Sequence, residues 1–188
     1  MREIKTASAE ETQKIARMLV EKLSAAPSRR KRDGAQIIAL QGDLGAGKTT
    51  FAQGFARALG VRENVLSPTF VLMKIYDIPS KFQNSPPRRI PGLISSEAKQ
   101  LASDPSPKFK HLIHIDCYRI ASSKDILHLG FQEMLKDKDA IILIEWPERI
   151  KKILPRNAIG LQFAHGEKLH ERRIKINGSQ RLFLDDLT

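Results

Sequence analysis

Apolar residues recur at two spacings along this chain, and the alternation between them predicts its elements. Over residues 5–24, Ile15, Met18, Leu19 and Leu23 fall three and four apart, which predicts an amphipathic helix. Ser8 followed by Glu11 forms the capping box that starts it. The run Ile37-Ile38-Ala39-Leu40 predicts a strand. Helical spacing returns from Thr49 to Leu59 and stops at Gly60, where a C-cap glycine belongs. Residues 69–76 are β-branched, aromatic and apolar, a strand entered through the turn at Pro68. Residues 111–115 predict another strand. A helix follows from a cap at Ser122 or Ser123 through Ile126, Leu127, Leu129, Phe131, Met134 and Leu135, broken or bent near Gly130. Residues 140–144 are the most apolar run, the pattern of a central strand buried on both faces. A brief helix reaches about Leu154 and ends at Pro155. Residues 159–163 and 172–176 then alternate as two strands of an antiparallel hairpin.

Strands alternating with helices predict one α/β domain spanning residues 1–188. One stretch departs from the pattern. Residues 78–109 scatter six prolines among serine and lysine, with a short helix at 95–102, and read as a surface insertion. The loop over residues 25–34 carries four consecutive cations, Arg29-Arg30-Lys31-Arg32. Together with a net charge of +11 it suggests a polyanion such as RNA, or an acidic protein surface, as a partner. A solvated lysine-rich surface would give the same balance. No apolar run approaches the ~20 residues of a membrane span, so no membrane is expected as a partner. DNA is not expected as a partner either. The single Cys117 excludes an intramolecular disulfide and fits a cytoplasmic location.

The chemistry lies at the first strand–helix junction. Gly42-Asp43-Leu44-Gly45-Ala46-Gly47-Lys48-Thr49 fits G-x-x-x-x-G-K-[ST], a phosphate-cradling P-loop. Its glycines let successive N–H groups point into one concavity, at the N-terminus of a helix that favours anions. The candidate nucleotide contacts are therefore Asp43, Leu44, Gly45, Ala46, Gly47, Lys48, Thr49 and Thr50. Lys48 supplies charge to the terminal phosphates and the Thr49 hydroxyl a ligand to Mg²⁺.

Such a site needs a carboxylate at the end of a buried strand. Asp116 and Glu145 each stand where an apolar run stops, which in an open α/β sheet is the ligand-binding edge. Glu145, after the more buried strand, is the first choice for the metal. Asp116 is then the candidate to position or deprotonate the attacking water. A helix cap or a structural ion pair is the alternative for either one. His114 shares a strand face with Asp116, and a polar network and a satisfied core histidine both remain open for it.

Four segments then resemble a known family: Gly42 to Thr50; Ser67-Pro68-Thr69-Phe70-Val71-Leu72; His114-Ile115-Asp116-Cys117-Tyr118-Arg119; and Ile144-Glu145-Trp146-Pro147-Glu148-Arg149. In that order they resemble the TsaE family, the ATPase of bacterial tRNA threonylcarbamoyladenosine biosynthesis. Thr6-x-Ser8-x-Glu10-Glu11-Thr12, Gly130 with Glu133, and Leu154-Pro155 agree with it. The resemblance implies a P-loop NTPase-like three-layer fold with a mixed, mainly parallel sheet and helices on both faces. It implies a weak Mg²⁺-dependent ATPase acting with a TsaB–TsaD heterodimer, which transfers a threonylcarbamoyl group to the adenosine beside the anticodon. Thr49 and Glu145 would hold Mg²⁺, and Asp116 would serve hydrolysis. Residues 67–70 would form a switch with Thr69 as its polar contact, Trp146 would lie near nucleotide and partner, and Ser8 near the base. The insertion and the basic balance depart from the family pattern.

Beside this reading stand two others. One is an ATP-gated binding module without significant turnover. The other is a P-loop small-molecule kinase, which would need an acceptor pocket with basic lid residues.

Overall fold

The computed structural model describes residues 2–25, 33–69, 71–79 and 109–177. Seven strands form one sheet: β1 (Arg2–Thr6), β2 (Gln36–Gly42), β3 (Met73–Asp77), β4 (His111–Asp116), β5 (Ala140–Glu145), β6 (Ile159–His165) and β7 (Arg172–Asn177). Their order across the sheet is β1-β7-β6-β2-β5-β4-β3. The four central strands, β6, β2, β5 and β4, run parallel. β3 closes one flank antiparallel to β4, and the β6–β7 hairpin followed by β1 closes the other. Every residue of β5 is buried, as the unbroken apolar run over 140–144 predicts for a strand covered on both faces, and the burial extends to Glu145 at its end.

Two apolar layers sandwich the sheet. On one side α1 (Ala9–Ala25) and α2 (Lys48–Ala58) pack on Ile38, Leu40, Leu112, Ile141 and Leu143. On the other, α3 (Ser123–His128), α4 (Phe131–Lys136) and the 3-10 turn Pro147–Ile150 bury Ile126, Phe131 and Ile150 against Ile113, Ile115, Ile142 and Ile144. Alternate residues of each strand thus feed opposite cores, as strand geometry dictates. The helices α1 and α2 cross closely because Gly54 has no side chain: a Cβ there would lie 2.6 Å from the Cα of Gln13.

Several expectations meet the structure at this level. The three-layer α/β fold, the parallel centre and the C-terminal hairpin are present. The helix over 122–135 is two helices, separated at Gly130 with φ 79°. The first of these starts at Ser122, whose hydroxyl accepts from the Lys124 N–H while Asp125 accepts from the Ser122 N–H. The strand expected over 69–76 is shorter and later. Val71 and Leu72 both donate N–H bonds to the Pro68 carbonyl, and Leu72 has φ 63°, so the chain turns before pairing begins at Met73. Strand β1 was not expected: only Ile4 breaks its polar run, and its pairing with β7 is what makes it a strand.

The insertion leaves β3 and returns to β4, its antiparallel neighbour. The Ile78 N–H bonds to the Lys110 carbonyl at 2.8 Å, so the two roots lie side by side. They stand at the end of the sheet opposite Asp116 and Glu145. The basic loop at 26–32, Phe70, residues 80–108 with the helix expected at 95–102, and residues 178–188 lie outside the described residues. Among those described, no helix is long and apolar enough to cross a membrane.

Candidate nucleotide site

The loop between β2 and α2 already has the shape that its glycines permit. Gly42 has φ 143°, and a Cβ on it would fall 2.2 Å from the Phe163 carbonyl oxygen of β6. Only glycine lets the backbone pass β6 so closely. Helix α2 begins at Lys48 on Gly47, with no side-chain cap, so its first N–H groups remain directed at the loop's hollow.

Lys48 is 4% exposed. Its amine donates to the carbonyls of Gly42 at 2.7 Å and Asp43 at 2.8 Å, and lies 4.0 Å from the centroid of the Trp146 ring. Burial holds the amine below the usual lysine range, opposed by the carboxylates of Glu145, Glu148, Asp116 and Asp43. Trp146 itself adopts a left-handed backbone, φ 57°, anchored by its N–H to the Leu40 carbonyl at 3.2 Å. A non-glycine residue in that region costs roughly 1–3 kcal/mol, strain that concentrates at functional sites. The tilted Tyr118 ring, 5.0 Å away, packs against it.

The parallel register sets the two carboxylates side by side: Asp116 on β4 stands opposite Glu145 on β5, and Glu145 opposite Leu40 on β2. Each is 2% exposed. The Thr49 hydroxyl donates to Glu145 Oε2 at 3.1 Å and Oε1 at 3.2 Å, and His114 Nε2 lies 3.0 Å from Oε1. Asp116 is held differently. Ser67 and Thr69 each donate a hydroxyl to its Oδ2 at 2.6 Å, and the Tyr118 N–H donates to Oδ1 at 2.9 Å.

One cleft of about 320 Å³ is bounded by Leu44, Gly45, Gly47, Thr50, Tyr118 and Trp146, with Lys48, Thr49, Ser67, Thr69, Asp116 and Glu145 on its walls and His114 behind Glu145 outside it. The structure therefore gathers most of the expected residues. Asp43 contributes its carbonyl to Lys48, and Ala46 donates its N–H to that same carbonyl. Ser8 stands apart from the cleft wall, capping α1 through the Glu11 N–H at 3.2 Å, as its sequence position predicts.

The oxygens of Thr49 and Glu145 fit a small hard cation. Their 3.1 Å spacing is close to the ~3 Å between neighbouring ligands of an octahedron with bonds of ~2.1 Å. Among the described residues no three His, Cys, Asp or Glu side chains converge to hold a metal by themselves. A cation here would need phosphate and water to complete its shell, which is how Mg²⁺ is usually held.

A family model described as Threonylcarbamoyl adenosine biosynthesis protein TsaE matches residues 6–84 and 97–174. The chain belongs to the TsaE family. Proteins named "tRNA threonylcarbamoyladenosine biosynthesis protein TsaE" are similar to it over part of its length. That of Rickettsia prowazekii is 37% identical over 63% of this chain and 61% of its own length. That of Borreliella burgdorferi is 32% identical over 78% of each chain. That of Bacillus subtilis is 31% identical over 82% of this chain and 72% of its own. The crystal structure of Bacillus subtilis YdiB superposes with a TM-score of 0.62 at 25% identity, covering 99% of this chain and 93% of that one.

Two residues at the site escaped sequence reasoning. His165 and Arg172, from the β6–β7 hairpin, reach the outer side of the phosphate loop. His165 Nε2 lies 3.1 Å from the Leu44 carbonyl, and Arg172 Nε donates to the Gly45 carbonyl at 3.2 Å. The Arg172 stem also comes within 3.6 Å of where a Cβ of Gly47 would stand. No local motif marks either residue; only the register of the hairpin on β2 brings them to the loop.

Proposed function

We propose that the chain is a Mg²⁺-dependent ATPase acting in threonylcarbamoylation of the adenosine next to the tRNA anticodon, with a TsaB–TsaD heterodimer as its partner. The observation that carries the reading is the convergence of Lys48, Thr49, Asp116 and Glu145 on one cleft at the carboxyl ends of parallel strands. That edge is where open α/β sheets bind ligands. Membership of the TsaE family supplies the pathway.

In this reading the backbone from Asp43 to Thr50 holds the phosphates, and the Lys48 amine balances charge on the terminal ones. Thr49 and Glu145 would hold Mg²⁺, which neutralises charge developing on the β- and γ-phosphate oxygens when bound. Asp116, at the neighbouring strand end, orients the water that attacks the γ-phosphorus as its bond to the bridging oxygen breaks. Trp146 and Tyr118 wall the site and lower its polarity, which strengthens each of these electrostatic interactions. The test is phosphate release with and without the partner pair. Turnover that survives Lys48→Ala unchanged overturns the assignment.

One observation favours gating alongside turnover. The hydroxyls of Ser67 and Thr69 are 2.6 Å apart and both bond Asp116, so the segment expected to be a switch is tied to the carboxylate expected to serve hydrolysis. A nucleotide that draws Thr69 or Asp116 into new contacts must break this triangle and free the segment beyond it. The exposed Leu66 and Val71 on either side would carry that change to a partner. A pure module would release no phosphate with or without partners. The +11 net charge supports direct tRNA contact as well, which salt-dependent tRNA binding would test.

A further inference from the structure

We infer that His114 is a positioning residue for the Glu145 carboxylate and, through it, for the divalent cation; the inference rests on the Mg²⁺-ATPase reading above. His114 lies within β4, opposite Leu143 and two residues before Asp116, on the sheet face that carries α2. Its side chain is completely buried. Nε2 is 3.0 Å from Glu145 Oε1, while Nδ1 has no hydrogen-bond partner among the described residues. This asymmetry sets the tautomer. With the hydrogen on Nε2 the ring donates to the carboxylate and leaves only a lone pair unmet; with it on Nδ1 a buried N–H would be orphaned beside two facing lone pairs.

An apolar side chain would fill the same space without the cost of burying a polar ring. The bond to Glu145 is what the imidazole adds. The terminal torsion of a glutamate is soft, so the plane of its carboxylate turns easily unless something fixes it. Thr49 cannot do so alone, because its hydroxyl is nearly equidistant from both oxygens. The imidazole selects Oε1 and leaves Oε2 as the oxygen it does not hold. Mg²⁺ demands near-ideal octahedral geometry, so a carboxylate set in advance binds it at less cost than one that must be turned. Histidine here serves the metal through its ligand and touches neither metal nor nucleotide.

The experiment measures Mn²⁺ binding by its EPR signal, in the presence of ADP, on the full chain and its His114→Phe, His114→Asn and His114→Gln variants. ADP binding in EDTA and thermal melts in EDTA are measured alongside. His114→Phe and His114→Asn, which cannot place a donor at Oε1, should weaken Mn²⁺ binding about 10- to 100-fold, leaving metal-free ADP affinity within about twofold. His114→Gln, whose amide nitrogen reaches as far as Nε2, should recover Mn²⁺ affinity to within about threefold of the unchanged chain. Wild-type Mn²⁺ affinity in both donor-less variants overturns the inference, as does a His114→Gln variant no better than they are. Should His114→Phe fail to fold, the Asn and Gln pair carries the comparison. An unchanged chain that binds ADP but no Mn²⁺ overturns the metal reading, and the inference with it.

Discussion

Asp116 and Glu145 occupy equivalent places and are held by different parts of the molecule. Both end buried parallel strands, in register with each other, and both are 2% exposed. Glu145 is bonded from within the sheet and the P-loop helix, by His114 and Thr49, which are rigidly packed elements. Asp116 takes one bond from the Tyr118 N–H just beyond its own strand, and the two at Oδ2 come from Ser67 and Thr69, in a connection with no regular structure. Equal burial therefore conceals unequal freedom. A carboxylate fixed by a helix and a strand suits a metal, and one shared with a loop suits a step that must be made and undone.

The comparison can be broken from either end. Glu145→Ala should lower phosphate release by at least about 100-fold and abolish detectable Mn²⁺ binding in the presence of ADP. Asp116→Ala should lower turnover by about 100-fold while leaving Mn²⁺ affinity within about threefold. If both substitutions abolish metal binding, the two carboxylates form one ligand set and the division of labour is wrong.

A second contrast separates the faces of β4. Cys117 follows Asp116 but points into the opposite core, and burial, aided by Asp116 and Glu148, pushes its thiol up to about 12. A raised folded value means that the native state holds this proton more tightly than the unfolded chain, whose thiol titrates near 9. The resulting stability is complete below about pH 9 and is lost as pH rises toward 12. At pH 8.5 the native thiol should react with iodoacetamide at least about 100-fold more slowly than in urea. Rapid native alkylation would place Cys117 at the cleft beside Asp116.

The smallest effects belong to the segment that ties Asp116. Ser67→Ala and Thr69→Val each remove one hydroxyl bond, worth about a fivefold change in an equilibrium between tied and released forms. Limited proteolysis in the 66–72 segment should speed by about that factor in each variant, and more in the double variant. Unchanged cleavage would mean that packing, not Asp116, holds the segment.

Much of this was legible in the residues. Periodicity located β2, α2, β4 and β5, because a buried strand and an amphipathic helix each repeat their apolar positions at a period set by the backbone alone. The P-loop could be read for the same reason: its glycines, lysine and threonine act within eight consecutive residues. Strand-end carboxylates could be read as candidates, since each stands where an apolar run stops. The Ser8 cap of α1 and the break at Gly130 were equally local.

What the residues alone left open was every relation between distant segments. Whether Glu145 lies beside the P-loop depends on β5 pairing with β2, and whether His114 touches Glu145 depends on the β4–β5 register. A slip of one residue would turn His114 to the other core. Strand β1 exists only because β7 accepts it, and His165 and Arg172 reach the phosphate loop only because the hairpin lies along β2. Backbone geometry and side-chain size act over a few residues and are written in the local sequence. Pairing partner and register are chosen by the burial of the whole sheet, and only the folded chain decides them.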